Sequence, residues 1–250
     1  MLVALLAVIS VANLASADSE ADAYAAEGDK YFRARDYFDA VEAYKRAVAL
    51  DPSLGLAYYG LALSYHQQQQ WVLAIPNWRR ARLLLEPEAA MLLVMGNDYF
   101  QLKQYDAALE AFQSAVRLQP PSVDLMMADY WLGVTYNQIG QPEKAVTPLR
   151  EALHAKPDDP DFNFEMGNAY YSLKQYTDAV PLLKEAIRLR PELAMAYYNL
   201  GLVYLAMHKR EDALETYSKL QAIDKAKAQE LHSKIDDQAR QDISRSKSAY

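Results

Sequence analysis

A short pattern returns six times along this chain, and it fixes what the chain can fold into. The small residues Gly28, Ala62, Gly96, Gly133, Gly167 and Gly201 each precede a tyrosine by three places: Tyr31, Tyr65, Tyr99, Tyr136, Tyr170 and Tyr204. A third column is all alanine, at Ala40, Ala74, Ala108, Ala145, Ala179 and Ala213. The steps within each column are 34, 34, 37, 34 and 34 residues. Three columns in step at one period near 34 residues mean a stacked array of helical pairs.

Number each repeat so that the small residue is position 8 and the tyrosine position 11; the first repeat then starts at Ala21. At about 100° per residue, positions 4, 7, 8 and 11 share one arc of a first helix, helix A. In the third repeat these are Leu92, Met95, Gly96 and Tyr99, and in the sixth Tyr197, Leu200, Gly201 and Tyr204. The arc is apolar, so it is buried, and its small residue lets a second helix approach closely. Helix B carries its own stripe at positions 20, 24 and 27, such as Ala108, Phe112 and Ala115. Prolines close most repeats (Pro52, Pro87, Pro120, Pro157, Pro191), because proline cannot continue a helix. Acids open helix B at Asp39, Asp106, Asp178 and Asp212, where they suit the positive helix N-terminus.

This combination resembles the tetratricopeptide repeat (TPR) family, whose motif runs W/Y-x2-L-G-x2-Y, then Ala, an aromatic or Leu, Ala and Pro. The resemblance covers residues 21–225 and is best in the third repeat. It implies an all-α fold: a right-handed superhelical solenoid of six helix-turn-helix units. Departures are local. Glu27 stands where leucine is usual, which suits an exposed end, and Asp129 takes position 4 of the fourth repeat. Leu220 and Lys225 replace the last alanine and the proline of the sixth. Residues 226–250 leave the repeat. Ala228, Leu231, Ile235 and Ala239 share one face, as a helix capping the end of a solenoid needs, and from Ser244 to Tyr250 the apolar period is lost, so a frayed tail is expected. The fourth repeat is preceded by three extra residues around Pro120-Pro121-Ser122. A loop insertion is the simplest account, with an early helix start capped by Ser122 as the alternative.

Residues 1–17 read differently. Leu2 to Ala12 is almost wholly apolar, and Ala15-Ser16-Ala17 gives a small-x-small site before an acidic stretch. That is the pattern of a secretory signal peptide, although no Lys or Arg precedes the apolar run. The expected location is periplasmic or secreted. The alternative is an uncleaved membrane anchor, but the run falls short of the roughly 20 residues that span a bilayer. The formal net charge of −7 argues against a nucleic-acid partner. Arg79, Arg80 and Arg82 form the sharpest basic cluster, read as a solvated outer face.

If the family geometry holds, the A helices line a concave groove. Positions 2, 5, 9 and 12 form an arc apart from the buried one and give an aromatic and amide surface. The second repeat supplies Tyr59, Leu63 and His66; the third Leu93, Asn97 and Phe100; the fourth Met127, Tyr130, Val134 and Asn137. The fifth supplies Phe164, Asn168 and Tyr171, and the sixth Met195, Tyr198 and Leu202. Apolar residues left in water there indicate a partner-binding face, and the asparagines suit the backbone of an extended peptide. In a tightly wound array, neighbouring A helices cover these residues themselves. Some relatives clamp a C-terminal carboxylate with basic groove residues. Positions 2, 5, 6 and 9 contain no Lys or Arg here, so such tails are not the expected ligand.

No catalytic or metal-ligating arrangement is legible. The histidines (His66, His154, His208, His232) lack ligand spacing, and His66 and His208 sit at turns where solvation is the ordinary explanation. No phosphate-binding loop, cofactor motif or cysteine is present. The expected function is a non-catalytic scaffold or adaptor for a protein or peptide partner, without cofactor, in the cell envelope. The alternatives are a pilotin-like assembly factor for an envelope secretion or pilus complex, although such proteins usually carry a lipidated cysteine, and a regulatory subunit of a separate enzyme.

Overall fold

The computed structural model describes residues 19–119 and 122–248. The signal-peptide reading at 1–17 and the Pro120-Pro121 pair therefore lie outside the described residues. Among these residues there are thirteen helices and no strand. The first six are α1 (Glu20–Arg33), α2 (Tyr37–Leu50), α3 (Gly55–Gln67), α4 (Trp71–Leu84), α5 (Ala89–Gln101) and α6 (Tyr105–Arg117). They are followed by α7 (Ser122–Gln138), α8 (Pro142–Ala155), α9 (Pro160–Ser172) and α10 (Tyr176–Leu189). The last three are α11 (Ala194–Ala206), α12 (Arg210–Ile223) and α13 (Lys225–Ser248). Odd-numbered helices up to α11 are the A helices and even-numbered ones the B helices. The chain divides into two compact units, with the boundary between Ala128 and Asp129 inside α7.

In the N-terminal unit each hairpin (α1–α2, α3–α4, α5–α6) packs on the next, with A helices also meeting A helices across α1–α3 and α3–α5. The B-helix stripe is fully interior: Ala40, Tyr44 and Ala47, then Ala74, Trp78 and Ala81, then Ala108, Phe112 and Ala115. The position-8 glycines face its large members. A Cβ on Gly96 would lie 2.5 Å from the Phe112 ring, so no larger residue fits.

The C-terminal unit repeats the scheme with aliphatic residues at position 24. Leu149 faces Gly133 and Leu183 faces Gly167. At its end the pattern changes. Gly201 meets Leu231 of α13, while Tyr217, the position-24 residue of the sixth repeat, turns its ring toward His232 at 4.8 Å. With Ala228, Leu231 and Ile235 buried, α13 covers the apolar side of α11 and α12. It stays helical through Ser248, past Ser244 where the apolar period ends.

All six A–B turns are built alike. The N–H three residues beyond each A helix donates to the carbonyl of the tyrosine at position 11: Asp36 to Tyr31, Gln70 to Tyr65, Gln104 to Tyr99, Gln141 to Tyr136, Gln175 to Tyr170 and Lys209 to Tyr204, all at 2.8–2.9 Å. This bond closes a left-handed helix end and satisfies a carbonyl that the helix leaves free. Position 15 is accordingly left-handed in every repeat, at Arg35, Gln69, Lys103, Gly140, Lys174 and His208, with φ between 58° and 71°. Glycine suits that backbone best, yet the fourth repeat alone uses it.

Two features differ from the sequence expectation. The extra residues before the fourth repeat lengthen a helix instead of a loop: α7 has 17 residues where α5 and α9 have 13, and all of the extension is at its start. Prolines also sit inside B helices, at Pro76, Pro148 and Pro181. Each removes one i→i−4 bond. Pro76 and Pro181 are exposed and Pro148 half-buried, so water can reach the freed carbonyls.

Asp129 is half-buried at a core position, and burial, followed by the charge of Glu151, pushes its carboxyl up to about 6. The corresponding Asn163 in the fifth repeat is comfortable there, because its amide donates to the Pro157 and Asp159 carbonyls at 2.8 and 2.9 Å. An acid whose folded value lies above its unfolded one, about 3.9, destabilises the fold as it ionises. Stability drawn from this site therefore falls as pH rises from about 4 to 6 and stays low above. The variant Asp129→Asn is expected to match the parent in urea denaturation near pH 4 and to exceed it from pH 7 upward. A gain independent of pH would assign the effect to something other than the carboxyl.

Candidate functional site

The inner arc of the A helices does different work in the two units. In the N-terminal unit, Tyr59, Leu63 and Leu93 are 4, 1 and 6% exposed. They are interior rather than open groove surface, closed in by the helices packed around α3 and α5. Tyr59 packs edge-on against Trp78 at 5.4 Å. His66 and Phe100, both at position 12, close over the aromatic residue that starts their own B helix, Trp71 at 5.3 Å and Tyr105 at 5.4 Å. Asn97 and Met127 are half-buried. Arg79, Arg80 and Arg82 are exposed as expected, and two of them also reach neighbours: Arg79 donates to the Tyr99 hydroxyl at 2.9 Å and Arg80 to the Pro52 carbonyl at 3.1 Å.

This unit also holds a buried acid that sequence reading missed. Asp98 is 0% exposed. Its carboxylate accepts from Trp78 Nε1 at 2.7 Å and meets His66 Nδ1 at 2.5 Å. His66 is thus held by an acid of the next repeat and is not simply solvated at its turn. The signal lay in the column. Position 10 also carries Ser64 and Thr135, both buried, whose hydroxyls donate back to the Gly60 and Trp131 carbonyls. An aspartate has no proton to donate in that way and needs outside donors, which Trp78 and His66 supply.

In the C-terminal unit the arc stays partly open. Tyr130, Val134, Asn137, Phe164, Asn168, Tyr171, Tyr198 and Leu202 are half-buried and Met195 is exposed. Tyr130 stacks on Phe162 at 4.7 Å, and Tyr171 lies 6.1 Å from Tyr176. The Tyr198 hydroxyl donates to the Glu230 carboxylate of α13. Burial raises the hydroxyl pKa of both Tyr130 and Tyr198, and neighbouring carboxylates add to this, Glu165 first for Tyr130 and Glu230 for Tyr198.

An amide ladder runs along this face. Asn137 Nδ2 donates to the Glu165 carbonyl at 2.9 Å and to its carboxylate at 3.0 Å. Asn168 also hydrogen-bonds that carboxylate, and Asn168 Oδ1 accepts from Asn199 Nδ2 at 2.5 Å. The asparagines expected to meet a peptide therefore also bridge one repeat to the next. Glu165 and Asn199, both at position 6 beside the arc of positions 2, 5, 9 and 12, were not legible as site residues. Burial pushes the Glu165 carboxyl up, the two asparagines pull it back, and Asp161 adds to the rise. Asp161 itself is neutralised by a two-pronged pair with Arg190, at 2.7 and 2.9 Å. No group of three His, Asp or Glu among the described residues is placed to hold a metal ion. No helix among them is long and apolar enough to cross a membrane.

Comparison with known proteins bears on this architecture. A family model described as TPR repeat matches residues 28–69 and 167–207. Two described as tetratricopeptide repeat match residues 93–160 and 194–227. Together these cover more than half of the chain. Tetratricopeptide repeat protein 1 of Schizosaccharomyces pombe is 28% identical over 145 residues, which are 55% of this chain and 14% of that protein. The small glutamine-rich tetratricopeptide repeat-containing protein 2 of Mycosarcoma maydis is 29% identical over 102 residues, 41% of this chain and 29% of that protein. The chain thus spans less than a third of each of these relatives. Among solved structures, Pseudomonas aeruginosa pilF superposes with a TM-score of 0.69 at 19% identity, covering 86% of this chain and 97% of that one. YrrB, described as a TPR protein with an unusual peptide-binding site, gives 0.65 at 24% identity, covering 78% and 98%. At these identities the likeness is one of fold.

Proposed function

Because the chain belongs to the tetratricopeptide repeat family, we propose that it is a non-catalytic scaffold that holds an extended segment of a partner protein along the inner A-helix face of its C-terminal unit. Its fold is that of a protein–protein interaction scaffold. The observation that carries the finer reading is the contrast between the two faces. Positions 5 and 9, packed away at Tyr59, Leu63 and Leu93, are only half-buried at Tyr198 and Leu202, and Met195 at position 2 beside them is exposed. Apolar and aromatic side chains held open by a rigid helical frame favour binding, since little conformational freedom is lost when a partner docks.

The test compares variants in affinity capture with quantitative mass spectrometry. Met195→Ala combined with Tyr198→Ala is expected to lose its specific partners by tenfold or more while the melting temperature moves little. Glu215→Ala, on the exposed side of α12, is expected to keep them. Equal recovery by all three proteins would end the groove reading. Tyr130→Ala is a poorer probe, because its ring also supports Phe162.

The proposal includes export, carried by the apolar run Leu2–Ala12 and the Ala15–Ala17 site alone. A mature chain beginning at Asp18 in the periplasmic fraction supports it; an intact chain from Met1 in the cytosol rules it out.

A further inference from the structure

The half-buried Glu165 sits midway along the amide ladder of the C-terminal unit. Its polar partners are the neutral amides of Asn137 and Asn168. Among the described residues it forms no ion pair, whereas its neighbour Asp161 is fully matched by Arg190. A shielded carboxylate of this kind calls for a cation or else takes up a proton.

A second group at the same place is also short of a donor. Asn137 Oδ1 is buried and has no hydrogen-bond partner. Turning the amide over does not relieve this. Both the carbonyl and the carboxylate of Glu165 are acceptors, so the nitrogen of Asn137 must face them and the oxygen must face away. Two acceptors, one charged and one neutral, thus stand together without a positive donor. Acidic side chains extend along the face: Glu230 holds the Tyr198 hydroxyl, and positions 2, 5, 6 and 9 of all six repeats contain no Lys or Arg.

We propose that the segment bound on this face is basic, and that one of its lysine or arginine side chains docks at the Glu165 carboxylate and the neighbouring Asn137 Oδ1. The inference rests on the groove reading above and names the chemistry of its partner. A lysine ammonium or an arginine guanidinium has donors and no acceptor, so it can serve both the uncompensated carboxylate and the unpartnered amide oxygen. The remaining apolar side chains of the segment meet Met195, Tyr198 and Leu202. Since the ion pair forms in a half-buried position, salt screens it less than a surface pair, and affinity is expected to fall only gently with ionic strength.

The experiment is selection of a random dodecapeptide phage library on the full chain, followed by synthesis of the selected peptides. The expected result is a peptide family with Lys or Arg at one fixed place. Replacing that lysine with norleucine should weaken binding at least tenfold to the parent protein and no more than twofold to Glu165→Gln. Circular dichroism confirms that Glu165→Gln is folded, and the norleucine change leaves the protein untouched. Peptides lacking a fixed basic residue, or an equal norleucine penalty on both proteins, would overturn the inference while leaving the groove reading in place. Failure to select any peptide above the background of Met195→Ala with Tyr198→Ala would remove both.

Discussion

Alanine in place of Trp78 is expected to destabilise the N-terminal unit by about 3–5 kcal/mol, the range for truncating a large buried aromatic residue. Trp78 is 0% exposed and fills the space between α3 and α4, edge-on to Tyr59. Its loss opens a cavity that the helices cannot close without giving up their own contacts. It also takes a donor from the buried Asp98 carboxylate, which then keeps His66 alone. The two contributions can be separated. Trp78→Phe keeps most of the ring volume and removes the indole N–H, so its cost is expected near 1–3 kcal/mol, the range for a buried acceptor left short of its donor. Urea denaturation gives the magnitudes, and amide hydrogen exchange should show the loss in α3 to α6. A loss below about 1 kcal/mol for Trp78→Ala would mean that the site collapses far more readily than the packing implies.

Gly60→Val is expected to cost about 3 kcal/mol, at the upper end of the usual range for overpacking. A Cβ at Gly60 would stand 2.3 Å from Cζ of Tyr44, 2.6 Å from Cε1 and 2.7 Å from the hydroxyl oxygen. The ring cannot retreat, because a Cβ at Gly28 would already meet it at 2.7 Å from the other side. Its hydroxyl is also anchored, donating to Asp29 at 2.7 Å. Tyr44 is therefore held in a slot between α1 and α3 that exists because both helices carry glycine there. Gly140→Ala offers a contrast. Nothing lies within 4 Å of the new Cβ, but φ is +71°, so a cost of roughly 1 kcal/mol arises from backbone strain alone. Adding Tyr44→Ala should recover part of the Gly60→Val loss and none of the Gly140→Ala loss. Equal behaviour of the two backgrounds would show that steric conflict with Tyr44 is not the cause.

Much of this was legible in the sequence because the determining contacts recur at fixed offsets. A glycine at position 8 and a large residue at position 24 meet in the first, third, fourth and fifth repeats, at Gly28–Tyr44, Gly96–Phe112, Gly133–Leu149 and Gly167–Leu183. Contacts set by one helical pair need no knowledge of anything farther away. The second repeat shows where this ends. Its Gly60 is at position 6, outside the repeated columns, and answers to Tyr44 of the repeat before.

The candidate site was legible only as a set of positions. The residues read as one groove fall into two groups, and nothing in their identity separates Leu63, which is interior, from Leu202, which is half-open. The difference lies in what surrounds each residue once the helices have packed. Asp98 and Glu165 show the same limit in polar terms. Both are acids within a repeat, yet one receives two donors from another repeat and the other only amides.

The sequence by itself determined the six helical pairs, the buried arc and B-helix stripe, and the covering role of Ala228, Leu231 and Ile235, since each follows from helical periodicity and the offsets within a repeat. It also bounded the chemistry of the inner face, where no basic residue occurs at positions 2, 5, 6 and 9. The tertiary structure alone decided which of those positions remain open, which asparagines bridge to the next repeat, and which acids are neutralised. Those outcomes depend on distances between helices that are 28–33 residues apart in the chain, as in Asn137–Glu165, His66–Asp98 and Gln238–Leu205. Periodicity can place such side chains on a common face, but the ångström-scale separation that makes a hydrogen bond or a vacancy is set by the packing of whole helices.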